Sequence, residues 1–337
     1  MKVTVPDYYN KFICIAEKCP DNCCIGWEID VDDYTYEKYQ SFKGKLGNKL
    51  RENLIVSDDG SHCFKLDSSE RCPFLNNNNL CEIILEAGED NLCSICSEHP
   101  RFHNCFGNIR ESGIGICCIA AAELVLSAPD KTTFHTYSSD EMEYEIDFDA
   151  DFLNEIISVR NEIIDILQDR SKSVCARMTE MLLLAYDFQN ELDETTAETI
   201  NPEKPDTHRI YDIFRSLEPL NSEWTMAAEK MKPRRSSMLN SAIFEQLAVY
   251  FIYRHTLSAV YDGDILSRAK FAVLCCIAVL WIADNHELDS IIKTACLVSK
   301  EIEYSDENIN TLLDLSATEP ALALNKLLGL LNEDWID

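Results

Sequence analysis

Apolar and polar residues follow two different patterns along the chain, and the change lies near residue 130. Beyond it, apolar residues recur every three or four positions over long stretches, and only two of the ten glycines occur there. Glycine-poor sequence with this period is typical of α-helices. The predicted helices cover 151–169 (with Asp151 as N-cap), 172–190, 207–217, 221–231, 237–260, 265–284, 286–300, 306–316 and 319–332.

Before residue 130 the apolar stretches are short, and polar runs such as SDDGS, NNNN and AGED separate them. Such punctuation is typical of loops and short helices. Because 337 residues exceed the length at which a single hydrophobic core stops growing, we expect two domains, 1–130 and 131–337, of which the second is α-helical. The predicted fold class is mainly α.

The segment between the two parts predicts a small β-hairpin. In residues 142–149, MEYEIDFD, apolar and acidic residues alternate strictly, as in a half-buried strand with one acidic face. Residues 133–137 are the expected partner strand, joined through a turn at Ser138, Ser139 and Asp140. An acidic linker would explain the charge pattern equally well, since Glu and Asp are poor strand formers.

Net charge argues against two classes of partner. The chain has 30 Lys and Arg against 59 Asp and Glu, a formal net charge of −29 at pH 7. This field repels phosphate backbones and anionic lipid, so we expect no nucleic-acid partner. It would attract a basic protein surface, although ordinary solubility explains the net charge equally well.

The longest apolar run gives no reason to expect membrane insertion. It is FAVLCCIAVLWIA, at 271–283, and has 13 residues. A helix of this length is too short to span a bilayer. We therefore expect a buried helix there and no membrane insertion.

Sixteen cysteines change the interpretation of the first part of the chain. Twelve lie within 118 residues, at Cys14, Cys19, Cys23, Cys24, Cys63, Cys72, Cys81, Cys93, Cys96, Cys105, Cys117 and Cys118. The opening MKVTVPDYYNKF lacks the apolar run of an export signal, so we expect a cytoplasmic protein with reduced thiols. Residues 1–130 are therefore predicted to be a cysteine-rich domain that holds a metal or an iron–sulfur cluster. The alternative, that cysteines act as small apolar side chains, is the better interpretation for Cys175, Cys275, Cys276 and Cys296.

The spacing of these cysteines favours a cluster over a zinc ribbon. A zinc ribbon presents two matched C-x2-C pairs, and here only Cys93 and Cys96 have that spacing. Thiolates select zinc, copper(I) or iron–sulfur clusters, and the four cysteines of a cluster can be far apart in sequence. The C-x3-C-x2-C run of ordinary radical enzymes that use adenosylmethionine is absent from the sequence.

Four segments resemble the flagellin lysine-N-methylase family: FICIAEKCPDNCCIGWEI, CPFLNNNNLCEI, LCSICSEHPRF and residues 112–126. The resemblance covers most of residues 4–126 and continues more weakly in IFEQLAVYFIYRH and YDGDILSRAKFAVL. The cysteines at the family's recurring positions are Cys14, Cys19, Cys23, Cys24, Cys72, Cys81, Cys96 and Cys117. Where the family usually reads Ser-Cys-Pro-Glu, this chain has ICCI at 116–119, which lacks the Glu.

The resemblance implies methyl transfer from S-adenosylmethionine to lysine side chains of flagellin by an enzyme that contains a 4Fe–4S cluster. It makes the eight recurring cysteines the candidate metal ligands. A looser similarity to cysteine-cluster proteins that chelate zinc or iron keeps zinc as the alternative metal. The residues themselves are silent on the methyl donor, since no GxGxxG follows a predicted strand.

Methyl transfer to lysine requires the neutral amine, although the unperturbed pKa of lysine is about 10.4. A site must therefore remove a proton and exclude water. The candidate side chains are Tyr8, Tyr9, Glu28, His99, Arg101, Arg254, His255, Asp262 and Asp264. Each has a structural alternative, and for Asp262 and Asp264 it is a turn that caps the next helix.

The second hypothesis is a protein without catalytic activity. In it the cysteine domain binds zinc or an iron–sulfur cluster for stability, and the helices bind a partner. Thiolate metal sites can supply folding free energy outright. Binding of adenosylmethionine would distinguish the two hypotheses.

Overall fold

The computed structural model describes residues 1–57 and 60–332 and separates the chain into two compact units. The cysteine unit comprises Phe12–Phe102 and Cys118–Ala120. The helical unit comprises Met1–Lys11, His103–Cys117 and the chain from Ala121 onwards. The two units alternate along the chain, whereas the sequence predicts a single boundary at residue 130.

The strands are β1 Lys2–Pro6, β2 Leu54–Val56, β3 His62–Phe64, β4 Arg101–Phe106, β5 Ile109–Ile114 and β6 Phe134–Ser138. The α-helices are α1 Asp33–Ser41, α2 Gly44–Asn53, α3 Glu82–Ala87, α4 Ser94–Glu98, α5 Ile119–Leu126, α6 Ala150–Leu167, α7 Val174–Leu192, α8 Thr207–Ser216, α9 Ser222–Lys230, α10 Ala242–His255, α11 Ile265–Ile282, α12 Leu288–Glu303, α13 Asp306–Thr318 and α14 Leu324–Leu331. The fold is mainly α, as the sequence predicts.

Strand β1 ties the N-terminus to the helical unit. It lies inside a four-stranded sheet of order β4-β5-β1-β6, parallel to β5 and antiparallel to β6. Tyr253 of α10 donates its hydroxyl to the carbonyls of Thr4 and Ser112, at 2.9 and 3.2 Å. Segments that precede residue 130 therefore pack with the helices that follow it.

The predicted hairpin is wrong, although one of its strands is present. Strand β6 pairs with β1, through Thr136 opposite Thr4, and residues 142–149 form no strand. Side chains 142–147 are all exposed, and the Tyr144 amide donates to the Gly107 carbonyl at 3.0 Å. With no apolar face buried, nothing offsets the poor strand propensity of the acidic residues.

Helix α11 is the centre of the helical unit, where it packs against α7, α10, α12 and α13. Of the helices described, it is the one whose length and composition would suffice to cross a membrane, but 89% of it is buried inside the fold. A core helix surrounded by other helices is apolar on all faces. The expectation of a buried helix at 271–283 is confirmed.

The structure corrects three of the predicted helices. Helix α6 is capped by Asp149, which accepts from the amides of Asp151 and Phe152, so Asp151 lies in the first turn. The predicted helix 237–260 is divided, because α10 begins after Ser241 and ends at His255, where a 3₁₀ turn follows. The last predicted helix is likewise a 3₁₀ turn at Pro320–Leu322 followed by α14.

The cysteine unit has its own small core. Its largest fully buried side chains are Tyr39, Leu50, Phe74 and Ile83, and Phe64 is buried beside them. Aromatic rings contact one another in it, and the centroids of Phe64 and Phe74 are 4.8 Å apart. Two buried cysteines, Cys72 and Cys93, belong to the same apolar cluster. A core this small, built partly from thiols, places chemistry-bearing residues at its centre.

Candidate functional site

Five cysteines of the cysteine unit, two of them at α4, pack into one core. Cys72 and Cys93 are buried, and Cys24, Cys81 and Cys96 pack against the same core. The Cys72 amide donates to the Cys24 carbonyl at 2.8 Å, which joins two distant segments of the chain. We call these five residues the thiol cluster.

The thiols of the cluster have thiol and backbone partners, and the hydrogen bonds of Cys72 and Cys81 are with backbone amides. A hydrogen bond with Cys96 lowers the pKa of Cys93, and the same bond raises the pKa of Cys96. A hydrogen bond with Cys23 and then burial raise the pKa of Cys24. Burial raises the pKa of Cys72 to about 11. Most of these thiols are therefore protonated at neutral pH, and a bound cation would have to displace their protons.

Asp32 holds the segment that carries Cys93 and Cys96 in place. One carboxylate oxygen caps α1 by accepting from the Thr35 amide, and the other accepts from the amide and hydroxyl of Ser94, all at 2.9 Å. Although burial raises it, these hydrogen bonds bring the pKa of Asp32 down to about 2. The start of α4 is thereby fixed beside α1, and the thiol cluster has a rigid frame.

The kind and number of donors fit a thiophilic metal or an iron–sulfur cluster, since soft thiolates are the ligands that both prefer. Across residues 1–57 and 60–332, however, no three His, Cys, Asp or Glu side chains are already arranged to hold a metal ion. The structure thus brings the five cysteines to one apolar core without forming a metal site among the described residues.

The eight predicted ligands do not all lie together. Cys24, Cys72, Cys81 and Cys96 belong to the thiol cluster, and Cys23 is hydrogen-bonded to Cys24. The others lie apart from its core packing, and they are Cys14, Cys19 and Cys117. The ligand role of each of the eight stays a prediction.

Cys14 and Cys19 occupy an exposed or half-exposed loop, and Cys117 belongs to the helical unit. The Cys19 thiol donates to the Asp21 carbonyl at 2.9 Å. Cys93 is the member of the thiol cluster that the resemblance leaves out, and the Cys93-x2-Cys96 spacing is the available sequence signal for it.

A second group of ionisable side chains lies in the helical unit, around the entirely buried carboxylate of Glu303. Its Oε1 lies 2.7 Å from His255 Nε2 and 3.2 Å from Arg254 Nε. Its Oε2 accepts from the Tyr250 hydroxyl at 2.9 Å and from the Ser299 hydroxyl one helical turn earlier. We call these five residues of α10 and α12 the Glu303 network.

Two opposed effects set the charges in this network. Burial raises the pKa of Glu303, but Arg254, His255 and Ser299 outweigh it and hold that pKa below its usual value. Burial lowers the pKa of His255 by more than its hydrogen bond to Glu303 raises it. At neutral pH the arrangement is an ionised Glu303 beside a charged Arg254 and a neutral imidazole. The imidazole donates from Nε2, so its Nδ1 carries the lone pair that can accept a proton.

The network extends to Cys117 through aromatic side chains. The Cys117 thiol donates to the Tyr304 hydroxyl at 2.9 Å, and the Arg254 guanidinium lies 5.8 Å from the centre of the Tyr304 ring. Arg254 also donates to the Tyr250 hydroxyl at 2.7 Å. The Tyr304 hydroxyl is thus a partner of the Cys117 thiol within the helical unit.

The structural alternatives hold for Asp262 and Asp264. Both carboxylate oxygens of Asp262 accept from Arg268, at 2.9 Å each, and Asp264 caps α11 through the Ser267 amide. Both aspartates therefore have structural roles around the start of α11.

The remaining candidates are distributed over both units. Glu28 is hydrogen-bonded to Cys63, and the Arg101 guanidinium lies 5.7 Å from the centre of the Phe12 ring. His99 precedes a cis proline at the end of α4. Tyr8 is buried, and Tyr9 begins a 3₁₀ turn in the helical unit.

Comparison with known proteins places the helical network in a recognised domain. Residues 236–330 match the family model described as "FliB lysine N-methylase C-terminal domain". All five residues of the Glu303 network lie within this match. No significant match to a solved structure was found.

Curated relatives give a consistent result. The chain is 29% identical over 133 residues to "Lysine-N-methylase" of Salmonella typhimurium (strain LT2), a match that covers 38% of this chain and 33% of that protein. Over 133 residues it is also 29% identical to "Flagellar biosynthetic protein FliU" of Salmonella muenchen, of which 79% is covered. The match thus spans about a third of the lysine-N-methylase relative's length. Together these matches show that the chain is similar to lysine N-methylases of the FliB type, in agreement with the resemblance stated from its sequence.

Proposed function

We propose that this protein methylates lysine side chains of flagellin, with S-adenosylmethionine as the methyl donor and with a cysteine-ligated 4Fe–4S cluster. The observation that carries the proposal is the coincidence of the Glu303 network with the domain that matches the lysine N-methylases. The flagellar name of one relative supports flagellin as the substrate class.

The proposed reaction begins with loss of a proton from the lysine ammonium. The amine nitrogen then attacks the methyl carbon, and the carbon–sulfur bond breaks with its electron pair moving to sulfur, which leaves S-adenosylhomocysteine. His255 is the proposed proton acceptor, since its imidazole is neutral and is oriented by the buried carboxylate of Glu303. Arg254 keeps that carboxylate ionised.

The thiol cluster is the proposed place of the iron–sulfur cluster. Cys24, Cys72, Cys81, Cys93 and Cys96 offer one more thiol than a four-cysteine cluster needs. When bound, such a group supplies redox or Lewis-acid chemistry and stabilises the small core around it. The protein's own contribution is the frame fixed by Asp32.

The test is mass spectrometry of flagellin lysines after incubation with adenosylmethionine and anaerobically reconstituted protein. Methyl-lysine is expected with the wild type, and His255→Gln should slow its formation by about 10²-fold or more at neutral pH, the usual contribution of a general base. Raising the pH toward the lysine pKa should restore part of the rate, because free amine is then present without the imidazole.

The matched control is His208→Gln, an exposed histidine of α8, which should leave the rate unchanged. Folded, cluster-loaded wild-type protein that forms no methyl-lysine would contradict the proposal. A zinc- or cluster-binding interaction protein without catalytic activity would then be the better account.

A further inference from the structure

Residues 139–148, which we call the strap, cross one end of the sheet in the helical unit without forming a helix or a strand. The strap follows β6, and its Ser139 amide donates to the Met1 carbonyl, just before β1, at 2.9 Å. Its Tyr144 amide donates to the carbonyl of Gly107, in the turn between β4 and β5, at 3.0 Å. The backbone of the strap is therefore tied to this end of the sheet at successive points.

Side chains hold the strap in place as well. Near its start, Glu141 forms an ion pair with Arg110 of β5. At its end, the Phe148 ring lies edge-on to the rings of Phe106 and Tyr261, with centroids 6.2 and 5.7 Å away. Because the segment is already ordered, a partner that docks on it causes little further loss of conformational entropy.

Apolar side chains of the strap stay exposed although its backbone is fixed. The exposed fractions of Met142, Tyr144 and Ile146 are 88%, 54% and 55%. Tyr261, which is 57% exposed, lies at the same place, since Cys105 is hydrogen-bonded to Tyr144 and its charge adds to burial in raising the pKa of Tyr261. Contiguous apolar side chains that are held exposed mark an interaction surface.

Acidic side chains alternate with these apolar ones. Glu143, Glu145 and Asp147 are exposed, and none of them is in an ion pair with any residue that the structure describes. The sequence has no Lys or Arg from 132 to 159. An apolar row bordered by unneutralised carboxylates is complementary to a chain in which apolar and cationic side chains alternate. The two exposed tyrosine rings can also contact a cation through their faces.

We propose that the strap and Tyr261 form a docking surface for an extended, lysine-bearing segment of a partner protein. Its ammonium groups would lie against the strap's carboxylates and tyrosine rings, and its apolar side chains against Met142 and Ile146. Solubility can explain the net charge of the whole chain, but it does not explain apolar side chains held exposed among the charges. The inference goes beyond the proposed function, because docking requires no methyl transfer and would serve an interaction protein without catalytic activity equally well.

Fluorescence anisotropy with the full chain at low salt tests the charge of this surface, with a labelled eight-residue peptide in which lysine alternates with leucine. One triple variant neutralises three carboxylates of the strap: Glu143→Gln, Glu145→Gln and Asp147→Asn. The matched control neutralises three exposed carboxylates around the start of α12: Asp284→Asn, Glu287→Gln and Asp289→Asn. The strap variant should bind the peptide about tenfold more weakly or worse, because three charge contacts are lost, and the control should change binding by less than about twofold.

A second pair of variants tests the apolar row. Met142→Ser combined with Ile146→Ser should weaken peptide binding by about three- to tenfold, because apolar contact area is lost. Met226→Ser combined with Met238→Ser, at exposed positions elsewhere in the helical unit, should leave it unchanged. Spermidine, which carries positive charge without apolar side chains, should compete with the peptide only at concentrations at least about tenfold higher than the unlabelled peptide requires.

Three results would overturn the proposal. Equal weakening in the two triple variants would mean that net charge alone attracts the peptide. Equal binding of a peptide whose lysines are acetylated would mean that the surface does not recognise the ammonium groups. Dimerisation of the wild type that the strap variant abolishes, measured by sedimentation, would assign the surface to a second copy of this chain.

Circular dichroism shows whether each variant is folded, and the comparison of lysine and acetyl-lysine peptides on the wild type decides the question if a variant is not. None of these measurements depends on methyl-lysine formation. Failure of the docking proposal is therefore distinct from failure of the proposed function.

Discussion

The thiol cluster and the Glu303 network both gather ionisable side chains in a protein core, but they balance charge differently. In the helical unit two buried carboxylates face guanidinium groups: Glu303 faces Arg254, and Glu111 receives two hydrogen bonds from Arg160, at 2.8 and 2.6 Å. In the thiol cluster, Cys93 and Cys96 face mainly other thiols. In the first arrangement opposite charges meet, whereas in the second the partners of the thiols are other thiols.

This difference separates what each unit needs in order to be stable. The desolvation penalty of a buried ion pair is largely offset while both partners are present. Removal of one partner leaves an uncompensated buried charge and strongly destabilises the fold. A group of protonated thiols gains its largest stabilisation when a soft cation replaces the protons. We therefore expect the helical unit to be sensitive to loss of a single charge, and the proposed iron–sulfur cluster to stabilise the cysteine unit.

The largest stability effect is expected from Glu303→Ala, which leaves Arg254 and His255 buried without their carboxylate. Removal of one partner from a buried ion pair costs about 3–5 kcal/mol. The matched control is Glu319→Ala, whose partner Arg209 is half-exposed, and the expected cost there is about 0–1 kcal/mol. Urea unfolding followed by circular dichroism measures both. Equal losses in the two variants would remove the distinction between buried and exposed pairs.

A smaller effect concerns Glu301, a buried carboxyl in the same helix as Glu303 that lacks an arginine partner among the described contacts. Burial raises its pKa from 4.5 to about 7. Because the folded state holds the proton more tightly than the unfolded state, this group stabilises the fold below pH 4.5, and that contribution is lost as the pH rises through about 7.

We expect the free energy of unfolding of the wild type to fall by up to about 3 kcal/mol because of Glu301 as the pH rises from 4.5 past about 7. This figure follows from the size of the pKa shift. Glu301→Gln should not show this part of the pH dependence. Unfolding free energies from pH 4.5 to 8 test the prediction. Parallel curves for the two proteins would mean that Glu301 stays ionised in the folded state.

The smallest effect is expected from exposed charge. With a net charge of −29, the protein should associate with a lysine-bearing flagellin faster at low salt than at high salt, since charges are screened over about 10 Å at 0.1 M. Stopped-flow association rates at the two salt concentrations measure this. Equal rates would reject electrostatic steering but leave the catalytic proposal intact.

The sequence predicts the helical part well because the apolar pattern that indicates each helix lies within the residues of that helix. The predicted helix at 207–217 corresponds to α8, and the one at 265–284 corresponds to α11. Ends are less well predicted, and Asp149 rather than Asp151 caps α6 because both residues suit the role and only the backbone geometry selects one.

Strand pairing and side-chain clusters that depend on residues far apart in the chain are not predicted from local sequence patterns. Strand β6 pairs with β1, where Thr4 and Thr136 lie 132 residues apart in the chain, instead of with its acidic neighbour segment. No local sequence pattern indicates Glu303 as a site residue, because its partners Tyr250 and His255 lie 53 and 48 residues away. Cys93 was set aside because the family resemblance does not include it, yet packing brings it into the thiol cluster.

The most direct test of the account compares two cysteine variants in one experiment. Cys81→Ser removes a thiol of the cluster, and Cys276→Ala removes a buried thiol of α11 whose pKa burial alone raises. After anaerobic reconstitution with iron and sulfide, visible absorbance, iron and sulfide content and flagellin methyl-lysine are measured on each. The account predicts that Cys81→Ser loses the chromophore and the methylated product together, because a serine oxygen is a poor ligand for these metals, while Cys276→Ala keeps both. A Cys81→Ser protein that retains the full chromophore and the full yield of methyl-lysine would contradict it.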